Sequence, residues 1–192
     1  MVRISDEANA RDRSNPGAMP DLKEVVMGLH WTPIEAGAAT EPADLDALCV
    51  LFDAHKRVME VVCAIHPRNA NGSVIHTGDS RTGASEWDDE RIFVFLEALP
   101  EAISSIAFIV VSVAGRPFSD VRGASCHISD HVTDHEWIRL QLTDQGQHTA
   151  LCVATLQRGP AGWKLSEDAH VVNAELMAEL LLLIGSGKGD AV

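Results

Sequence analysis

The chain has 192 residues, a hydrophobic content of 46% and a formal net charge of −13. Its length and apolar content favour one sizeable core over two independent domains. The negative charge argues against nucleic acid as a partner, because phosphates require a basic surface, and it favours cations or a basic protein.

Short β-branched or alternating segments separated by turn residues follow one another along most of the chain. Many short strands at this spacing predict an all-β fold, a two-sheet antiparallel β-sandwich. The apolar residues 92–96 and 106–113 are typical of strands buried on both faces, and Gly159 to Gly162 is a turn signal. The predicted strands are residues 22–31, 45–52, 57–65, 91–96, 105–113, 124–129, 136–142, 149–157 and 163–171.

The two ends of the chain differ from this pattern. Residues 1–21 are polar and are predicted to form a disordered N-terminal arm, ahead of one sandwich domain over residues 22–172. Residues 173–192 are predicted to form a short helix and a flexible tail, with Asn173 as the N-cap and Gly185 as the stop. We expect the helix to pack on the sandwich; the alternative is self-association or binding of a protein partner through its apolar face, Leu176, Met177, Leu180, Leu181, Leu183 and Ile184.

The sequence also indicates where the protein resides. No apolar run reaches the roughly 20 residues of a membrane span, and residues 1–20 contain no apolar core of signal-peptide length, so we expect no membrane insertion. The cysteines lie in apolar runs without a CxxC pair. They are predicted to be buried free thiols of a cytoplasmic protein: Cys49, Cys63, Cys126 and Cys152.

The most distinctive segment is residues 79–90, which hold five carboxylates and a single cation, Arg81. Packed in one loop, these carboxylates would repel each other, and a calcium ion would relieve the repulsion by using their oxygens as ligands. An EF-hand is excluded, because Arg81 and Gly83 stand where oxygen ligands are required. Asp44 and Asp46 project to one side of an extended segment and can complete the shell. A solvated acidic loop without metal is the alternative.

The residues around this loop resemble those of the TerD tellurium-resistance family. Residues 72–83 (GSVIHTGDSRTG) followed by residues 88–90 (DDE) are similar to the family pattern GS-x-x-HTGDN-x-TG-x-x-x-x-DDE. Residues 25–31, 43–47, 118–122 and 162–165 resemble further family segments in the same order. The chain departs from the pattern at Ser80, where the family has Asn, and at Thr32, where it has an acid.

This resemblance implies a two-sheet β-sandwich, calcium binding by acidic loops, and a non-enzymatic role in bacterial tellurium resistance and stress response. By position, the implied calcium ligands are Asp44, Asp46, Asp79, Asp88 and Glu90, with Asp89, Ser80 and Thr82 as supporting residues. A metal-free interaction module of a stress-response complex is the alternative function.

A third hypothesis comes from His127, His131 and His135, which recur every four residues among acids. On a helix they would align and could hold the zinc ion of a hydrolase. The segment lies between two β-like runs, where the three imidazoles need not converge. Neither a Gly-x-Ser-x-Gly motif nor a phosphate-binding Gly-rich loop is present, so the sequence favours a protein that is not an enzyme.

Overall fold

A computed structural model describes residues 22–33, 43–81, 83–85, 87–113, 115–167 and 169–185. The arm expected at residues 1–21 and the tail after Gly185 lie outside this part of the chain. The strands in it are β1 (Glu24–His30), β2 (Leu45–Phe52), β3 (Val58–Val62), β4 (Val74–His76), β5 (Glu90–Phe95), β6 (Ser105–Ser112), β7 (Ser125–Asp130), β8 (Glu136–Gln141), β9 (Ala150–Gly159), β10 (Gly162–Ser166) and β11 (His170–Val171). One α-helix follows, α1 (Ala174–Gly185), and three 3₁₀ turns connect strands, Leu96–Ala98, Phe118–Asp120 and Leu142–Gln145.

The strands form two antiparallel sheets. The first sheet has the strand order β4-β5-β1-β7-β8, and the second has the order β10-β9-β6-β2-β3, with β11 also paired to β9. This arrangement confirms the predicted sandwich. Two elements differ from the prediction: β4 was not expected, and the single strand expected over residues 163–171 is divided into β10 and β11.

The main core fills the space between the sheets. Alternating residues of β5 show how it forms, because Ile92 and Val94 are buried against the second sheet while Phe93 and Phe95 are half-buried on the outer face. The expectation that β5 would be buried on both faces is therefore wrong. It holds for β6, whose residues from Ile106 to Val110 are all buried.

Helix α1 explains why β6 is buried on both faces. Its partly buried residues Leu176, Met177 and Ile184, together with the fully buried Leu180, belong to a second apolar cluster with residues of the second sheet such as Ile109. The Asn173 Oδ1 atom accepts a hydrogen bond from the Leu176 amide at 2.8 Å, which is the expected N-cap. The helix thus packs on the sandwich as predicted.

All four cysteines are buried free thiols, as expected from their apolar surroundings. Burial raises the pKa of Cys49 and Cys63, and it raises the pKa of Cys126 to about 12. Within the described residues, no helix has the length and apolar character needed to cross a membrane.

Truncation of Leu180 tests the contribution of α1 to the fold. We expect Leu180→Ala to lower the free energy of unfolding by about 2–4 kcal/mol, because it leaves a cavity in the second cluster. Leu182, which is 74% exposed on the same helix, provides the matched control, and Leu182→Ala should change stability by less than about 0.5 kcal/mol. Urea unfolding monitored by circular dichroism measures both values, and equal losses would contradict this packing.

Candidate metal centre

Three consecutive acids at the entrance to β5 have different surroundings. Glu90 pairs in register with Leu29 of β1, and both side chains are directed into the core. Because side chains alternate across a strand, the neighbouring Arg91 is on the outer face. Asp88 also lies there, where it contacts Arg91. The acids of this segment therefore do not form one common ligand shell.

The Glu90 carboxylate is fully buried and joins the two sheets. Its Oε2 atom accepts a hydrogen bond from the Ala47 amide of β2 at 2.8 Å, and its Oε1 atom accepts one from the Ser80 amide at 3.3 Å. The same Oε2 atom lies 3.3 Å from His76 Nε2. The Gly78 amide donates to His76 Nδ1 at 3.0 Å, so the imidazole is held by the loop that follows β4.

The Asp89 carboxylate organises the loop before β5. Its Oδ2 atom accepts a hydrogen bond from the Trp31 amide at 2.9 Å, and Oδ1 accepts from the Ser85 amide at 3.1 Å and the Ser80 hydroxyl at 3.4 Å. His30 Nδ1 lies 3.0 Å from Oδ2. Asp89 and Ser80 therefore hold the loop together by contacts within the protein.

The buried Trp31 links this loop to the segment that carries Asp44. The Trp31 indole Nε1 donates to the Ala43 carbonyl oxygen at 3.1 Å. Gly83 lies against the same indole, because a Cβ atom at this position would be 2.5 Å from Trp31 Cδ1, and its φ of 64° also favours glycine. The second glycine of the HTGDSRTG segment is thus required for close packing of the loop.

Three carboxylates converge at this end of the sandwich: Asp44, Asp46 and Asp79 each offer an oxygen within 4.8 Å of the others. Asp44 and Asp46 lie at the start of β2, and Asp79 lies in the loop after β4. The Asp44 Oδ1 atom is buried without a hydrogen-bond partner among the described residues. A buried carboxylate oxygen without a donor is costly, and a bound cation would satisfy it.

The electrostatics of these three residues are unfavourable without a cation. Burial raises the pKa of Asp46 to about 6, assisted by the negative charges of Glu90, Asp44 and Asp79. Burial also raises the pKa of Asp44, and Asp79 and Glu90 add to the increase. Arg81 opposes this effect at Asp44, but its guanidinium is largely exposed and lies 3.8 Å from Asp79 Oδ2.

Asp88 lies on the other side of the first sheet, away from this group. Its carboxylate contacts His127 Nε2 at 3.1 Å and accepts a hydrogen bond from Arg91 Nε at 2.7 Å. Although burial alone would raise the pKa of Asp88, these two hydrogen bonds outweigh it and lower the pKa. Of the other residues implied as ligands, Thr82 lies outside the described residues.

The three histidines spaced four residues apart have separate surroundings. His127 contacts Asp88, His131 packs edge-on against Phe93 and His135 packs edge-on against Trp137. Within the described part of the chain, the acidic group is the only cluster of three or more ligand side chains, and it includes none of these histidines. The zinc hypothesis therefore has no ligand cluster in this region.

Comparison with known proteins agrees with the fold and the loop. The TerD domain model matches residues 15–181. The tellurium resistance protein TerZ of Serratia marcescens is 31% identical over 166 residues, covering 83% of this chain and 86% of that protein. The general stress protein 16U of Bacillus subtilis is 33% identical over 162 residues, covering 80% of this chain and 81% of that protein.

A solved structure supports the same architecture. The crystal structure of a homologue of the telluride resistance protein TerD from Streptomyces coelicolor superposes with a TM-score of 0.72 at 22% identity, covering 89% of this chain and 99% of that one. Fold and site define a β-sandwich whose acidic segments converge at one end. The chain belongs to the TerD domain family, whose relatives here carry names of tellurium resistance and general stress response.

Neutralisation of Asp46 tests the repulsion within the acidic group. The Asp46 pKa of about 6 in the folded chain exceeds its usual value of 3.8, so the folded state binds the extra proton. This contribution favours the metal-free fold at low pH and is lost as the pH rises through about 6. We expect Asp46→Asn to stabilise the metal-free protein at pH 7 by about 1 kcal/mol after solvent screening, or about 2–4 °C in Tm.

Asp130 provides a matched control of opposite sign. Hydrogen bonds from the Thr133 amide and hydroxyl, and from the Val132 amide, lower the pKa of Asp130, so Asp130→Asn should lower the Tm at pH 7. Thermal melts of both variants and the parent at pH 5 and pH 7, after treatment with a chelating resin, measure these effects. A lower Tm for Asp46→Asn at pH 7 would contradict the repulsion.

Proposed function

We propose that this protein binds calcium through Asp44, Asp46 and Asp79, and that it acts without enzymatic activity in a cytoplasmic stress response. The observation that carries the proposal is the buried Asp44 Oδ1 atom, which has no donor among the described residues and belongs to a group of oxygens within 4.8 Å of one another.

The chemistry of the group favours a hard cation. Its ligand atoms are carboxylate oxygens, which suit calcium and magnesium rather than zinc or copper. Asp46 lies on β2, Asp44 directly precedes this strand and Asp79 lies on a loop, so the site can adjust its width. This adaptability favours calcium, because magnesium demands a near-ideal octahedral shell.

The neighbouring acids would support the ion in different ways. Glu90 is already engaged by Ala47 and Ser80, so it would contribute negative potential from the adjacent core. Asp89 and Ser80 would hold the loop that presents Asp79. Asp88, which faces His127, would not be a ligand.

Calcium at this position would join the start of β2 to the loop after β4. It would neutralise the mutual repulsion of the carboxylates and stabilise the fold by mass action. The names of the relatives support a role in tellurium resistance or general stress response. Buried free thiols support a cytoplasmic location.

A calcium titration of thermal stability tests the proposal. Saturation at about 100 times the dissociation constant should stabilise the parent protein by about 2.7 kcal/mol. We expect Asp46→Asn and Asp79→Asn to lose most of this shift, even though the first is more stable without metal. Asp120, an exposed residue of the Phe118–Asp120 turn, is the matched control, and Asp120→Asn should keep the full shift.

Two outcomes would contradict calcium binding at this group. One is an unchanged Tm at about 10 mM calcium, well above the dissociation constants of weak natural calcium modules. The other is an equal shift in the parent and Asp79→Asn, which would place the ion elsewhere. An equal shift with magnesium at the same concentration would show a divalent site without calcium preference.

A second candidate function, that of a protein-interaction module, is favoured by the outer side of α1. Leu181 and Leu182 are 61% and 74% exposed on this helix, and neither is needed for the packing of Leu180. We expect the double variant Leu181→Glu, Leu182→Glu to keep the parent Tm and to abolish any self-association. Light scattering measures the mass of the parent and of the variant. If the parent is a dimer and the variant has the same mass, this face of α1 is not the dimer interface.

A further inference from the structure

We propose that the outer face of the first sheet carries a separate ligand site, a cleft that binds a small oxyanion through the guanidinium groups of Arg91 and Arg139. The ligand group is a phosphate or a carboxylate. This site does not depend on the calcium proposal, since neither arginine belongs to the acidic group.

Strand register places the basic residues in one row. Gly28 of β1 pairs with Arg91 of β5 on one side and with His127 of β7 on the other. His127 pairs in turn with Arg139 of β8. Because directly paired residues of neighbouring strands project to the same face, three side chains with nitrogen donors stand in a line across the sheet, with a glycine between them.

Gly28 creates the hollow in this row. A Cβ atom at Gly28 would lie 2.1 Å from His127 Nε2 and 2.6 Å from Asp88 Oδ2. The missing side chain lets Asp88 and His127 meet directly above the strand. A cleft of about 440 Å³ opens next to them, and its lining includes His30, Arg91, His127 and Arg139. This volume is within the usual range of small-molecule sites.

The cleft offers donors that an oxyanion would use. The Asp88 carboxylate contacts Arg91 through Nε and His127 through Nε2. With Nε2 directed at the Asp88 carboxylate and Nδ1 buried, His127 positions Asp88, and the donors for a ligand are guanidinium nitrogens of Arg91 and Arg139. A guanidinium carries five N–H donors in a planar fork, which matches the paired oxygens of a phosphate or carboxylate.

The acids near the cleft set its affinity and restrict what enters. Asp88 is hydrogen-bonded to Arg91 and His127, and Asp134 is a further carboxylate of the lining. Glu136 forms an ion pair with Arg139 and so competes with a ligand for that guanidinium. Because three carboxylates surround the two guanidiniums, a ligand must compete for their donors, and one small anionic group does so with less repulsion than a polyanion.

Trp87 gives the site an apolar wall. Its side chain lines the cleft and is 76% exposed, the largest exposed fraction among the large apolar side chains described. An indole beside guanidinium groups suits a ligand with an organic part attached to the anionic group. Within the part of the chain that is described, this wall explains the exposure of Trp87 better than packing does.

Isothermal titration calorimetry with inorganic phosphate and with sodium acetate tests the site, at constant ionic strength and on protein freed of metal by a chelating resin. We expect a dissociation constant of about 1 mM or below for at least one probe. Arg139→Gln should weaken binding by about tenfold or more, since a charge-assisted hydrogen bond is lost. Glu136→Gln should strengthen it by releasing Arg139.

Arg57→Gln is the matched control, because this arginine is exposed and pairs with Asp53 beyond the end of β2. It should bind like the parent. Binding of phosphate alone assigns a phosphate ligand, and binding of acetate alone assigns a carboxylate. The proposal is overturned by the absence of heat with both probes at about 20 mM, or by equal affinity of the parent and Arg139→Gln. Neither result bears on calcium, because the metal is absent throughout.

Discussion

The buried carboxylate of Glu90 is the constraint on which this end of the sandwich depends. It lies in β5 of the first sheet and accepts the amide of Ala47 in β2 of the second. At the start of β2 no residue of β3 is paired with Ala47, so this amide has no strand partner there. Glu90 satisfies it, and a buried charge that is hydrogen-bonded in this way fixes the relative position of the two sheets.

The location of the acidic group follows from this contact. With Glu90 in the core, the Asp44 and Asp46 side chains at the start of β2 lie in its electrostatic field. Asp79 lies beside them, in the loop that Ser80 ties to Glu90. The protein thus concentrates negative charge where its chain segments must meet. Such an arrangement is unfavourable for a metal-free fold and favourable for cation binding, as is common at functional sites.

The sequence was sufficient for the strand pattern, the helix cap at Asn173 and the segments that carry the acids, because these depend on local periodicity and turn chemistry. It was insufficient to show that Asp88, Asp89 and Glu90 have different positions and partners. Strand alternation would have placed Asp88 and Glu90 on the same face, but Asp88 precedes β5 and its partner is His127, 39 positions away. Long-range pairing of this kind depends on strand order, which periodicity does not encode.

The missed residues show the same limit. β4 has only three residues and lies inside the family motif of residues 72–83, where no strand was predicted. Trp31 and His76 support the acidic segments from the core. In the sequence, Trp31 is the last residue of a predicted strand, and His76 directly precedes Thr77 in the family motif. Gly28 could be recognised as important only when the sheet was assembled, because its role is to leave room for side chains of other strands.

The coverage of the second sheet by α1 has a kinetic consequence. β2 is paired with β6 along its whole length, from Leu45 to Phe52, and has apolar residues in the clusters on both of its faces, so Asp46 moves only when this pairing opens. Asp79 belongs to a connection outside the strands, whose amides are released by local opening. A cation held between them would dissociate at the rate at which this connection opens, long before the protein unfolds. The residence time of the ion is therefore a property of one loop, and sequence changes there can adjust it without altering the stability of the sandwich.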